Sequence, residues 1–497
     1  MLVRKFILLS TLVLTLAFQS LAQEMIGYAP GNYAGITGAF LNPSSILDSK
    51  VYLDINIIGL HLNVDNNYVY LKSDEYSFKR FLQPGAEFPE HVDELTGETR
   101  NYYDNYNTDL KNAYSNIRIM GPSAMLSMGR HAFGLSTSYR LMASGSDLPF
   151  DLTKFALDGL DFYPQQRINY INNIDFRAAA LGAAEIAATW STIVYRRNRQ
   201  HLAGGITIKG LFANAGAYGY GDNMDYVVPN SDTVRVYDLN GHLGLSLPMD
   251  YDNNDVTLND RFFRGSGLGF DIGFTYHKKL DGYSTKAYSA ICEVPYAPYQ
   301  YRIGIALIDV GRVKFKKDVL KMEMENASMQ WNNVRDYGFD NVNSAFRTLS
   351  YQFTGDSTQL IQQDQITVSL PTALSVQFDY RINDRFFVNA SFMRPVILAE
   401  ATLIRPSHIA ITPRFETHYL EFAMPFTLYN DKYPRLGISA RFRNVIIGTD
   451  KLGGFLGMKD FTGLDFYFMV KLQFFKGKCG RFNKRFGCSN LEYLQKY

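Results

Sequence analysis

Only one run of apolar residues in this 497-residue chain approaches the length of a membrane-crossing helix, and it lies at the very N-terminus. Cysteine is scarce, with three in all, and neither charge prevails, with 50 Lys and Arg against 48 Asp and Glu. Each shortage excludes something. A polytopic helical membrane protein needs repeated apolar runs of ~20 residues, and the mean hydropathy of −0.16 speaks against them. A broad nucleic-acid-binding surface needs a basic excess, so no nucleic-acid partner is expected. The eight His are scattered, and there is no His-Glu-x-x-His, no Cys-x-x-Cys and no phosphate loop. No metal, cofactor or catalytic residue is therefore expected. Gly355-Asp356-Ser357 superficially resembles a hydrolase nucleophile turn, but it sits in a polar stretch with no matched His. A non-enzymatic protein is the expectation. What the chain has in plenty is aromatic: 34 Tyr, 36 Phe and 2 Trp, beside 39 Gly. That mixture suits strands and tight turns, and a 46% hydrophobic content is too high for disorder.

The N-terminal run is an address. Arg4 and Lys5 precede an apolar stretch from Phe6 to Phe18, and the small residues Ser20 and Ala22 follow. A charged start, a short apolar centre and a small-x-small ending make a secretory signal peptide over residues 1–22. Gln23 follows the expected cut where a lipid-anchored protein would carry Cys. Loss of Arg4 and Lys5 brings the formal charge from +2 to zero.

From about residue 50 the dominant period is two, the period of a strand. Leu464, Phe466, Phe468, Val470, Leu472 and Phe474 share one face, and Asp465, Tyr467, Met469, Lys471 and Gln473 the other. Leu374, Val376, Phe378 and Tyr380 alternate with Ser375, Gln377, Asp379 and Arg381, and comparable runs begin near 133, 270, 386 and 436. A soluble sandwich would bury the apolar face; a transmembrane barrel turns it to lipid and keeps the polar face inside. Three features favour the barrel. The strands run to 10–13 residues, beyond the usual ~5–6 and near the ~9–11 of a tilted membrane strand. Aromatics gather at strand ends (Tyr276, Tyr380, Tyr419, Phe474, Phe475), where interfacial girdles belong. The polar faces carry charges, which suits a wet interior.

The pattern predicts an all-β, antiparallel transmembrane β-barrel of about 14 strands, with 12 to 16 defensible. Its first strand, from Val51, switches phase near Ile57–Ile58 as a β-bulge would. The Ala-rich segment 175–195 reads as a strand, joined by the polar turn RRNRQH to another at Gly204–Ala217. Polar stretches at 73–115 and 316–365 read either as external insertions or as loop packing over the barrel mouth. The tight turn at Arg381–Asp384 reads as periplasmic, yet counting strands onward from it leaves the C-terminus outside the cell. A strand missed or added between 395 and 463 would remove that conflict, and 448–463 is the first place to look.

The segment GYAPGNYAGITGAFLNPSSILDSKVYLDINIIGLHLNVDNNYVYL (27–71), with 180–210 and 435–457, resembles a Bacteroidota family of outer membrane barrels of unknown function. The resemblance spans about residues 25–475. Asn42-Pro43-Ser44-Ser45 is similar to the Asn-Pro-Ala signature of FadL-type fatty-acid transporters and PorV-like barrels, with Ser44 in place of the Ala. The resemblance implies an N-terminal plug, here residues 23–50, inside a barrel over 51–475. It also implies two kinds of function: a channel for a small apolar ligand, or a scaffold subunit in an outer membrane machine with protein partners. Outer membrane lipid is a partner on either reading.

Charged residues on the polar strand faces (Glu185, Arg302, Asp379, Arg381, Arg441 and Lys471) are the lumen-facing candidates, whether they line a passage or form a solid core. Beyond Phe475 a basic tail, residues 476–497, carries Cys479 and Cys488. Those two can pair in an oxidising compartment or remain separate thiols. Cys292 reads as a small buried hydrophobe.

Overall fold

Alternating sequences of this length can satisfy their backbone only against neighbours on both sides, and here the sheet does so by closing on itself. The computed structural model describes residues 24–75, 89–93, 95–197, 199–256, 262–280, 296, 298–336 and 339–476. The leader 1–22, Cys292, Cys479 and Cys488 lie outside the described residues. Fourteen antiparallel strands make the wall. In chain order they are β1 (Val51–Asn66), β2 (Lys111–Met120 and Ser123–Met128), β3 (His131–Leu148), β4 (Phe176–Arg197) and β5 (Gln200–Asn230). Then come β6 (Gly265–Lys279), β7 (Tyr299–Phe315), β8 (Ile366–Ser369 and Ala373–Arg381), β9 (Phe386–Pro395) and β10 (His408–Glu416). The last four are β11 (Leu420–Ala423 and Phe426–Tyr429), β12 (Tyr433–Leu436 and Ile438–Phe442), β13 (Val445–Thr449) and β14 (Gly463–Phe475). β1 pairs with β14 from Val51↔Phe475 to Asp65↔Gly463, which closes the barrel. The register slips between Asn56 and Ile58, where the phase switch predicts a bulge.

Burial runs opposite to that of a soluble sandwich. Leu135 and Ile305 on the outer face are 55% and 49% exposed, while Arg140, Arg441 and Lys471 rank among the most deeply buried side chains. Phe270, Ile272, Phe274, Ile409, Ile411, Phe422 and Ile447 extend the same apolar outer belt. No helix among the described residues is long and apolar enough to cross a membrane, so any crossing falls to the strands.

The two rims differ. Every even-numbered strand ends at the rim where β1 begins, here the near rim, and short reversals join strands there at 129–130, 198–199, 382–385, 417–419 and 443–444. Tyr276, Tyr380, Tyr419 and Phe474 ring this rim on its outer side. Phe475, assigned to the same girdle from sequence, turns inward and packs edge-on against Tyr33, 5.8 Å between centroids. The topological conflict is removed by β13, a five-residue strand at the edge of the suspected 448–463 stretch. With it, both Phe475 and the 382–385 turn lie at the near rim.

Most of the long connections lie at the far rim, while residues 280–298 join β6 to β7 at the near rim. The 316–365 stretch is not loop packing. Val319–Met324 and Met329–Asn332 pair with Thr233–Ser246, which extends from β5 beyond the wall. Helices α1 (Phe150–Asp158) and α2 (Val342–Thr354) pack on this outer sheet around Phe155, Tyr226, Leu320, Met322 and Phe346. Gly355 ends α2 in the left-handed conformation, so the Gly-Asp-Ser sequence is a helix stop. The RRNRQH segment belongs largely to the strands, with β4 ending at Arg197 and β5 beginning at Gln200. In 73–115, strand β2 already begins at Lys111.

Candidate functional site

The lumen is filled by the chain's own N-terminal segment. Residues 24–49 are almost continuously buried and descend to β1 through two 3-10 turns, Gly35–Phe40 and Pro43–Asp48. Asn42 caps the second turn. Its Oδ1 accepts from Ser44 N at 3.0 Å and Ser44 Oγ at 2.7 Å, and Pro43 occupies the first helical position, where no amide is needed. The Asn42 amide donates outward to Phe274 O, Thr275 Oγ1 and Gln377 Oε1 at 3.2–3.3 Å. Ser44 Oγ also lies 2.6 Å from Thr275 Oγ1, a contact the Ala of the resembled signature could not make. Gly205 permits this approach: a Cβ there would stand 2.5 Å from the backbone of Pro43 and Ser44. Ser45 is the fourth plug residue singled out from sequence, and its Oγ is buried without a hydrogen-bond partner.

Around the plug the inward side chains form layers of ion pairs. Towards the near rim, Glu416 binds Lys50 at 2.7 Å and Arg414 at 2.6 Å, and Arg414 and Arg302 both reach Asp379. Arg441 pairs with Glu421, and Lys471 with Asp54, at 3.1 and 3.0 Å. At mid-depth Arg140 joins Glu185 and Asp309, and Lys209 joins Asp271 and Asp309. Towards the far rim Asp65 holds Lys451 and Arg435. Buried charges are tolerable only when paired in this way, since removing one partner costs ~3–5 kcal/mol.

Of the six lumen-facing candidates, Glu185, Arg302, Asp379, Arg441 and Lys471 sit in these layers. Arg381 does not. It lies at the near rim, 15% exposed, paired with Asp384 of the exposed turn where the strand ends. Asp309, Arg140, Lys209, Arg405, Arg414 and Glu416 were missed. Alternation marks their side of the strand but not which distant charge they meet.

Arg405 comes from the connection between β9 and β10, residues 396–407, which folds into the mouth. Thr402 bridges to Ser369, and Ile404 N donates to Ser144 Oγ at 3.0 Å, so the segment spans the opening from β8 to β3. Its Arg405 binds both Glu24 of the plug and Asp309 of the wall. Burial alone would raise the Glu24 carboxyl, but Arg405, Arg118 and His61 hold it below the ordinary range. Above Arg405, at the far mouth, lies a pocket of about 260 Å³ lined by Tyr114, Arg394, Arg405, Tyr429, Asp431 and Tyr433. Beside the plug, near Asn42, Ser45 and Arg302, the free volume is about 40 Å³, enough for a water molecule and little else.

One group among the described residues combines ligand types suited to a metal: Asp48, His201 and His277, at the base of the plug. Burial would raise the Asp48 carboxyl, but His201, His277 and Lys279 hold it well below the usual range.

A closed, plugged, antiparallel barrel with an apolar exterior is the class this architecture defines. The chain belongs to the family of unknown function DUF5723, whose model matches residues 43–450. No curated protein matches it. Three solved structures share the outline of the fold. The TodX monoaromatic hydrocarbon channel deltaS2 mutant is 8% identical over 88% of this chain and 93% of that one, with a TM-score of 0.38. The CymD monoaromatic hydrocarbon channel is 6% identical over 90% and 94%, with a TM-score of 0.31. A Pseudomonas aeruginosa FadL homologue is 8% identical over 91% and 98%, with a TM-score of 0.22. At these scores the barrel rests on the chain's own strand pairing.

Proposed function

We propose that this protein is exported by its N-terminal leader to the outer membrane, where it admits a small, largely apolar molecule past the plug. The belt of exposed Ile, Leu and Phe supports a lipid setting. The five short connections at the near rim, against mostly longer ones at the far rim, support a periplasmic near rim and an external far rim. The observation that carries the transport reading is Arg405. It lines the external pocket and binds both the plug, at Glu24, and the wall, at Asp309. A ligand that entered the pocket and drew Arg405 away would loosen the plug beneath it. In this reading Asn42–Ser45 seat the plug, and Glu185, Arg302, Asp379, Arg441 and Lys471 line the route it uncovers.

The test is uptake of the apolar dye N-phenylnaphthylamine into vesicles with a lipopolysaccharide outer leaflet, which excludes the dye, carrying the purified barrel. The wild type is expected to exceed protein-free vesicles, and Arg405→Ala to run several-fold faster than the wild type. If neither exceeds the bare vesicles, transport of apolar molecules is overturned.

A second reading, a scaffold subunit, is favoured by the outer sheet beyond the far rim. That sheet has its own apolar core and exposes Tyr163, Ile171 and Val256. Mild-detergent pull-down separates the two readings, because a scaffold brings stoichiometric partners and a lone channel does not.

A further inference from the structure

At the near rim, His201 of β5 and His277 of β6 stand directly opposite each other in the ladder. Both point inward and are buried, and their rings stack with centroids 4.5 Å apart and planes 8° from parallel. Both Nε2 atoms face the same oxygen. Asp48, the last residue of the plug's second 3-10 turn, places Oδ2 at 2.5 Å from His201 Nε2 and 2.9 Å from His277 Nε2. Its other oxygen, Oδ1, takes Lys279 Nζ at 3.1 Å. Hydrogen bonding accounts for only one of the two imidazoles: His201 Nε2 bonds Asp48, whereas His277 Nδ1 and Nε2 are both buried without a hydrogen-bond partner, although Nε2 lies 2.9 Å from Asp48 Oδ2.

We infer that Asp48, His201 and His277 form a binding site for a zinc-class divalent ion, which clamps the base of the plug to the barrel wall. Two imidazole nitrogens and one carboxylate oxygen are the ligand set such ions favour, with the fourth position open to water. The three donor atoms already lie within 4.8 Å of one another. Donors at ~2.1 Å around a tetrahedral ion stand roughly 3.4 Å apart, so the imidazole nitrogens, now 2.5 and 2.9 Å from Oδ2, need to move away from it by less than about 1 Å to admit the ion. Lys279 then acts on the carboxylate from outside: it occupies Oδ1 and leaves Oδ2 for the metal. Two ammonium groups stand close by, Lys279 and Lys476, and the second is tied to Leu47 O at 2.9 Å. Their charge opposes a dication, so the affinity is set by the His pair. The site joins three elements that are distant in sequence, and it fixes the plug at the point where the chain turns into β1.

The probe is zinc sulfate, added to the EDTA-treated full-length barrel in detergent. The expected result is one zinc per chain by elemental analysis, with a higher unfolding midpoint in the heat-dependent gel shift of the barrel. His201→Gln and His277→Gln should each lose the zinc and its stabilisation. Lys279→Gln should bind zinc at least as tightly as the wild type. Cobalt(II) provides a readout that needs no variant, since a tetrahedral nitrogen–oxygen site gives visible ligand-field absorption. The inference is overturned if the wild type retains no more zinc than His277→Gln, or if cobalt shows only the spectrum of its aquo ion.

Discussion

Asn42 shows what one residue contributes to the plug. Its amide faces three acceptors on β6 and β8 while its carbonyl caps the turn beneath. Asn42→Ala therefore leaves buried groups unpaired at ~1–3 kcal/mol apiece. The gel-shift midpoint is expected to fall further for Asn42→Ala than for Ser44→Ala, which removes a hydroxyl and little else. Gly205 is the complementary case, since its value lies in having no side chain. Gly205→Val drives a branched group into the Pro43–Ser44 backbone, and overpacking of that kind costs ~1–3 kcal/mol. The expected readout is faster proteolysis within residues 24–49 while the barrel itself still shows its heat-dependent shift. The Asn-Pro pair was visible in the sequence as a resemblance, whereas Gly205 looked like any glycine in a strand. Parity puts Asp379 and Arg381 on the same side of β8, yet they meet different partners. Two residues apart on one face, they differ only in that the ladder ends at Arg381.

At the level of elements, the long unbroken strands were legible because period two persists over ten or more residues, as in β14 and β6. The short ones were not. β13 has five residues, and β11 is two four-residue pieces broken at Met424–Pro425, too brief for alternation to stand out from chance. The outer sheet was hidden for another reason: its strands lie in polar surroundings and find their partner, Thr233–Ser246, across some 75 to 100 residues. Its core is separate from the lumen, which gives a test. Met322→Ala opens a cavity among Leu320, Tyr226 and Phe346, at ~2–5 kcal/mol for such truncations. Protease should then cut first in 316–365, with the barrel's gel shift unchanged.

Across the whole molecule, charge and grease have exchanged places relative to a soluble protein. That inversion makes the outer face intolerant of the residues the inside requires. Ile305 lies about halfway along β7 on the exposed belt, where Arg costs ~2–4 kcal/mol in a membrane barrel. Ile305→Arg is expected to lower the amount of folded protein recovered from the membrane fraction, whereas Ile305→Leu is not. The inversion was readable from alternation together with the expected leader sequence. The pairing inside was not, because Arg140 meets Asp309 across 169 positions and Arg405 meets Glu24 across 381.

The seam between β1 and β14 joins the first strand to the last, and the plug lies upstream of β1, inside the ring. The topology suits an order of assembly in which residues 24–49 serve as a mandrel around which the growing sheet wraps. The final hairpin, β13 to β14, then fastens the cylinder over the chain's own beginning.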